Sequence, residues 1–240
     1  VGTGAESHLL LPNQTATDIF CSSQLVIPQT GDLFLAGGDN YSAATGQSLN
    51  TATASATIFR TGSTTLESAG TMQRPRWYGS AATMANGEIL IQGGSGGGER
   101  AEVRGIDGRF RLLTGFTTND LGSSYPRIFA APDGKIFGMA YTNMYRLDPA
   151  ANGGAGSRTN LGSTTGYSPT WHSPVVMFAP GQILLAGGND NKAAIVDIRG
   201  AAPIVSSAGT LTQRRIWSNA SVLADGRVAV TGGSATENQA

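Results

Sequence analysis

The chain has 240 residues, 40% of them hydrophobic, enough to bury the core of one all-β domain. Sixteen basic and sixteen acidic side chains cancel to a formal charge of +0 with no long run of one sign, so nucleic acid and anionic membranes find no electrostatic footprint. The lone cysteine, Cys21, rules out an internal disulfide framework, and nowhere do about 18 apolar residues run together as a membrane span requires.

Val1 to Ser7 carry neither a basic start nor an apolar stretch, so an export signal is expected to have been removed or to lie upstream. Only 13% of residues are charged while Gly, Ser, Thr and Asn abound, a turn-rich composition that points to an extracellular β protein. From Gly31 onward one layout recurs: a turn glycine, alternating apolar residues and, in most copies, a glycine pair. The copies are Gly31-Asp-Leu-Phe-Leu-Ala-Gly-Gly38, Gly87-Glu-Ile-Leu-Ile-Gln-Gly-Gly94, Gly134-Lys-Ile-Phe-Gly-Met-Ala140, Gly181-Gln-Ile-Leu-Leu-Ala-Gly-Gly188 and Gly226-Arg-Val-Ala-Val-Thr-Gly-Gly233. Their first glycines stand 56, 47, 47 and 45 residues apart, the period of a propeller blade.

Ala69 to Ser95 also aligns without gaps on Ala208 to Ser234 at a constant offset of 139, matching Arg76 with Arg215 and both glycine pairs. Each repeat reads as four antiparallel strands: an inner one such as Trp77 to Met84, the glycine-pair strand, a third such as Ala101 to Arg104, and an outer one such as Phe110 to Leu113. The expected fold is an all-β kelch-type β-propeller holding about four and a half blades of a seven-bladed ring. The single domain spans residues 1–240, with blades near 17–70, 71–116, 117–163, 164–209 and a partial 210–240. The fifth blade lacks its two outer strands, so the chain is expected to be part of something longer; Leu9 to Leu11 are the internal candidates to donate a strand.

Rotation relates the blades, so equivalent residues share one depth along the axis. Nine positions before the leading glycine stand Tyr78, Tyr125, His172 and Trp217, and ten before the first stands Cys21, which predicts a ring at one end of the channel. Such a ring serves either as aromatic packing around a buried thiol or as a site.

Asp18-Ile-Phe-Cys21-Ser-Ser before its glycine-pair strand, and Arg76-Trp-Tyr78-Gly-Ser-Ala-Ala-Thr before the next, resemble the galactose oxidase and glyoxal oxidase family. The resemblance implies one copper ion and a thioether between Cys21 and a ring carbon of Tyr78, whose phenolate would also ligate the metal. The implied activity is oxidation of primary alcohols or aldehydes, carbohydrates among them, with O2 reduced to H2O2. Removing two electrons with a metal that cycles through one requires a second one-electron store, and a sulfur-substituted phenoxyl provides it. Arg127, near the channel mouth, stands where a substrate-contacting arginine is expected, the alternative being a solvated arginine after a turn.

The chain also departs from the family. No Tyr-His pair exists; Trp171-His172-Ser173 is the nearest match, and His172 is not assigned as a ligand. Gly96 replaces the tryptophan that stacks on the cross-linked ring in galactose oxidase, which argues against galactose itself. The remaining ligands and blades are expected beyond Ala240 or from a partner chain. The competing reading is a non-catalytic propeller that binds glycans or proteins, or builds an assembly, through loops on one face. A hydrolase finds no nucleophile motif beside His8 or His172.

Overall fold

A computed structural model describes residues 15, 17–42, 44–122 and 124–236. Strands β1 (Thr17–Asp18), β2 (Ser23–Val26), β3 (Leu33–Ala36), β4 (Asp39–Ser42), β5 (Gln47–Ala52), β6 (Ser55–Phe59) and β7 (Leu66–Thr71) build the first repeat. The blade itself is the antiparallel sheet β2-β3-β6-β7, while β1, β4 and β5 form a small side sheet. The hairpin β4–β5, inserted between the glycine-pair strand and the third strand, accounts for the longer 56-residue first spacing.

The next three repeats are uninterrupted four-stranded meanders. They comprise β8 (Trp77–Thr83), β9 (Ile89–Ser95), β10 (Glu102–Arg104) and β11 (Phe110–Leu112); β12 (Arg127–Ala130), β13 (Ile136–Ala140), β14 (Asn143–Asp148) and β15 (Ser157–Ser163); and β16 (Val175–Ala179), β17 (Gln182–Ala186), β18 (Lys192–Asp197) and β19 (Ile204–Thr210). The last repeat contributes β20 (Ile216–Val222) and β21 (Val228–Ser234) alone. The propeller architecture read from the repeat is therefore the one observed. Leu9 to Leu11 lie outside the described residues.

The leading glycines turn the first hairpin of every repeat. Gly31, Gly87, Gly134, Gly181 and Gly226 all hold φ between +71° and +86°, left-handed backbone that glycine adopts without a Cβ penalty. The glycine pairs do a different job. A Cβ on Gly37 would fall on the Arg76 carbonyl of the neighbouring blade, so only glycine permits the two backbones to meet there.

Alternation along the second strand distributes apolar side chains to two blade interfaces. Ile89 and Ile91 pack toward Phe34 and Ala36 of the first blade, while Leu90 joins Ile136, Tyr145 and Leu147 of the third. Phe137 and Met139 then face Ile183 and Leu185 of the fourth. A strand covered on both faces buries successive side chains alike, which is why Ile89 to Ile91 reads as a continuous hydrophobic run, and the buried Gln92 after it is satisfied by the Tyr145 hydroxyl.

Candidate functional site

The ring expected from spacing is present as linked backbone. Tyr78 donates its N–H to the Cys21 carbonyl at 3.1 Å, Tyr125 to the Tyr78 carbonyl at 2.8 Å, and Trp217 to the His172 carbonyl at 3.2 Å. Each of these bonds joins one blade to the next. Cys21, Tyr78, Tyr125 and Trp217 share left-handed φ values of 58°, 67°, 47° and 58°. Non-glycine residues in that region cost about 1–3 kcal/mol each and persist only where the surroundings enforce them. The sequence carries no signal for this conformation, since none of the four is Gly, Asn or Asp.

At the junction between the third and fourth blades Arg127 supplies side-chain bonds. Its Nη2 donates to the carbonyls of Trp171 at 2.9 Å and Ser173 at 2.7 Å, tying the third blade to the fourth. Arg127 is thus fastened in place, half-buried rather than freely solvated, and its Nε has no partner among the described residues. With Tyr125, Trp171, His172, Trp217 and Ser218 it borders a pocket of about 310 Å³.

Cys21, a free and partly buried thiol, stands beside both phenols. Burial raises the Tyr78 hydroxyl above the ordinary phenol range, and hydrogen bonding and charge at Cys21 add to the shift; the negative Asp39 contributes further. Tyr125 is raised strongly, first by burial and then by its hydrogen bond to Cys21.

Trp77 stacks on the Tyr78 ring with centroids 4.7 Å apart and planes 21° from parallel. Tyr78 therefore has an indole stacked on it although Gly96 occupies the position that carries it in galactose oxidase. The donor is the residue immediately before the tyrosine, a possibility that sequence comparison by position misses. The aromatic contacts continue from Tyr78 to Tyr125 at 5.4 Å, Tyr125 to Trp171 at 6.0 Å, and Trp171 to Trp217 at 4.6 Å. His172 is buried within this group, its Nδ1 hydrogen-bonded to Thr170 Oγ1 at 2.7 Å and its ring 5.0 Å from Trp217.

Arg76 anchors the segment that presents Trp77 and Tyr78. Its guanidinium and the Glu102 carboxylate are both fully buried, with Nε and Nη2 donating to Glu102 Oε1 at 2.9 and 2.8 Å. Nη1 donates to Gly93 O and Nη2 to Arg100 O, both at 2.7 Å, while the Gln73 N–H donates to Glu102 Oε2 at 2.7 Å. Arg76 also bridges blades through its backbone: its N–H reaches Thr53 O and its carbonyl accepts from Gly38 N, each at 2.8 Å. On the first blade Asp39 is held similarly. Burial opposes its ionised form, but the Ser48 hydroxyl and the N–H groups of Thr51 and Asn40 outweigh that and keep the carboxyl below its usual range.

Against a copper centre, these residues fit in part. The thiol and phenol are adjacent and Tyr78 offers one oxygen donor, whereas Cu(II) favours a tetragonal set of nitrogen and oxygen donors. No group of three or more His, Cys, Asp and Glu able to hold a metal occurs among the described residues. The donors completing such a site would come from outside them.

No protein-family model matches the chain, and no curated protein matches it. Among solved structures it is similar to a fungal alcohol oxidase of the AA5 family in complex with copper, with a TM-score of 0.77 at 23% identity over 90% of this chain. The chain spans about half of that structure, 47% of its length. At that identity the likeness is one of fold.

Proposed function

We propose that this chain is the cross-link half of an extracellular copper radical oxidase, built on a seven-bladed propeller, that converts primary alcohols to aldehydes. The observation that carries the reading is the 3.1 Å Tyr78 N–H to Cys21 carbonyl bond, which brings the one thiol-bearing residue and Tyr78 together at a junction between two blades. The similarity in fold to an alcohol oxidase solved with copper adds support. Thioether formation removes one hydrogen from the thiol and one from the ring, and O2 accepts both with their electrons to leave H2O2. Turnover has the same balance, alcohol and O2 giving aldehyde and H2O2. Copper, when bound, supplies the second one-electron couple.

Within this chain, Cys21 and Tyr78 form the catalytic pair and Tyr78 contributes an oxygen ligand. The stacked Trp77 holds the Tyr78 ring in orientation, and Arg127 contacts substrate at the border of the Tyr125, Trp171 and Trp217 pocket. Alcohols, aldehydes and carbohydrates are the substrate classes.

The test is the intact mass of the mature protein under reducing conditions after exposure to Cu(II) and oxygen. A loss of about two hydrogens, and a linked peptide joining Cys21 to Tyr78, are expected of a metal-assisted cofactor. Both should vanish in Cys21→Ser and in Tyr78→Phe. A Cys21 that alkylates fully after the treatment refutes the reading. The second reading, a glycan-binding propeller, is favoured by the aromatic walls of the pocket and would then stand.

A further inference from the structure

Arg104 breaks the pattern of the blades. In the first, third and fourth repeats the residue of the third strand that pairs two positions after the leading glycine is apolar: Phe59 opposite Leu33, Leu147 opposite Ile136 and Val196 opposite Ile183. In the second repeat it is Arg104, opposite Ile89. Its Cζ lies 5.1 Å from the centre of the buried Phe34 ring on the first blade. The Nε is buried and has no hydrogen-bond partner among the described residues. Burial pushes the guanidinium toward its neutral form, Asp107 opposes this from beyond ion-pairing distance, and the like charge of Arg60 adds to it. A half-buried cation without a counter-charge weakens a fold, and the aromatic face beneath it offsets that cost in part. Its place at an apolar register therefore needs a reason other than packing.

Arg104 also walls a pocket of about 220 Å³ between the first and second repeats, at the strand ends opposite the ring of Cys21, Tyr78 and Tyr125. Ile27, Ile58 and the exposed Ile106 supply apolar wall. The other charges there are matched: Arg60 faces Asp32 at 3.5 Å and Glu67 at 2.9 Å, and Asp32 accepts the Thr61 N–H at 2.8 Å. The charged lining residues, Asp32, Arg60 and Arg104, thus sum to one positive charge, and it resides on Arg104. We propose that this pocket binds a small aliphatic carboxylate, whose oxygens pair with the Arg104 guanidinium while its apolar body lies against Ile58 and Ile106. A planar guanidinium and a carboxylate match through parallel N–H to oxygen bonds, and the volume is below the range of about 300–1,000 Å³ that larger ligands occupy. A dianion is disfavoured, because the Thr61 N–H and the Thr30 hydroxyl hold the Asp32 carboxyl below its usual range and keep a negative charge in the wall. The site lies at the far end of the strands from Cys21 and Tyr78 and does not rest on the copper reading.

The probe is isovalerate, titrated into isotope-labelled protein while the backbone amide signals of Thr30, Gly87, Ile106 and Gly108 are followed by NMR. Saturation with a Kd on the order of 1 mM is expected. Isovaleramide has the same shape without the charge and should bind at least about tenfold more weakly. Acetate, which lacks the apolar body, and sulfate, which meets Asp32, should both bind more weakly than isovalerate. Because these comparisons alter only the ligand, they do not depend on the folding of a variant. Arg104→Met places an apolar side chain at the register of Leu147 and should abolish the preference for acid over amide, while Arg104→Lys should keep part of it. Equal affinity of acid and amide for the unaltered protein overturns the proposal, as does sulfate or acetate binding as tightly as isovalerate. So does a preference for the acid that survives in Arg104→Met, or the absence of saturation up to about 50 mM.

Discussion

Replacing Glu102 with glutamine tests the anchor beneath the candidate site. Arg76 and Glu102 are each 0% exposed, and their attraction offsets the cost of removing both charges from water. Burial alone pushes the Arg76 guanidinium toward its neutral form; the carboxylate opposes this. Glutamine keeps one acceptor oxygen but presents an amide N–H2 to either the Arg76 donors or the Gln73 N–H, so a donor faces a donor. Breaking a buried pair by removing one charge costs about 3–5 kcal/mol. Because Gly93 O and Arg100 O continue to accept from the guanidinium, the lower part of that range is expected. For a chain of this size each kcal/mol moves Tm by about 2–4 °C, which gives a fall of about 6–16 °C. Urea denaturation followed by circular dichroism and by tryptophan fluorescence measures the loss and checks two-state behaviour. The double variant Arg76→Met with Glu102→Leu should lose less than the single one, its remaining cost lying in the orphaned Gln73 N–H and in the Gly93 and Arg100 carbonyls that lose the guanidinium. A loss below about 1 kcal/mol for Glu102→Gln, or a double variant as damaged as the single, refutes the account of an ion pair whose members need each other.

Tyr78 and Tyr125 both hold their protons above the ordinary phenol value, so the native state binds more protons than the unfolded chain once the pH passes about 10. Stability is accordingly full below that value and falls as the pH rises beyond it; Tm scans from pH 8 to 11 should show the decline, and it should shrink in Tyr78→Phe with Tyr125→Phe, the remainder coming from Tyr145, whose phenol is also raised by burial. Trp77→Leu removes the stacked indole while leaving an apolar side chain, and should cost about 0.5–1.5 kcal/mol in urea titrations. An unchanged midpoint would mean that the 4.7 Å stack contributes nothing to the fold.

The blade count and strand order were legible because glycine marks both ends of the repeated strand for steric reasons. At Gly31 to Gly226 the turn needs left-handed backbone, and at Gly37 the neighbouring chain leaves no room for a Cβ. The side sheet of β4 and β5 showed only as an anomalous spacing, since its strands are short and carry exposed polar residues without alternation. Equivalence by rotation put Cys21, Tyr78 and Tyr125 on one ring. It gave no hint that Trp77 turns back onto Tyr78, because side-chain stacking between sequence neighbours depends on the left-handed φ at Tyr78, which its residue type does not announce. Arg127 shows the converse limit: its sequence position led to an expected substrate contact, but the two carbonyls it holds belong to a segment more than forty residues away in sequence.

The division of labour along β9, where Ile89 and Ile91 serve one interface and Leu90 the other, and its repetition along β13 make the second and third sheets each the missing half of two cores. Cohesion in such an array passes from neighbour to neighbour, as along a row of books that stand only by leaning on each other. Amide protons in β9 and β13, wedged between two sheets, should exchange last with deuterium, whereas β21, with a single companion strand, should exchange first.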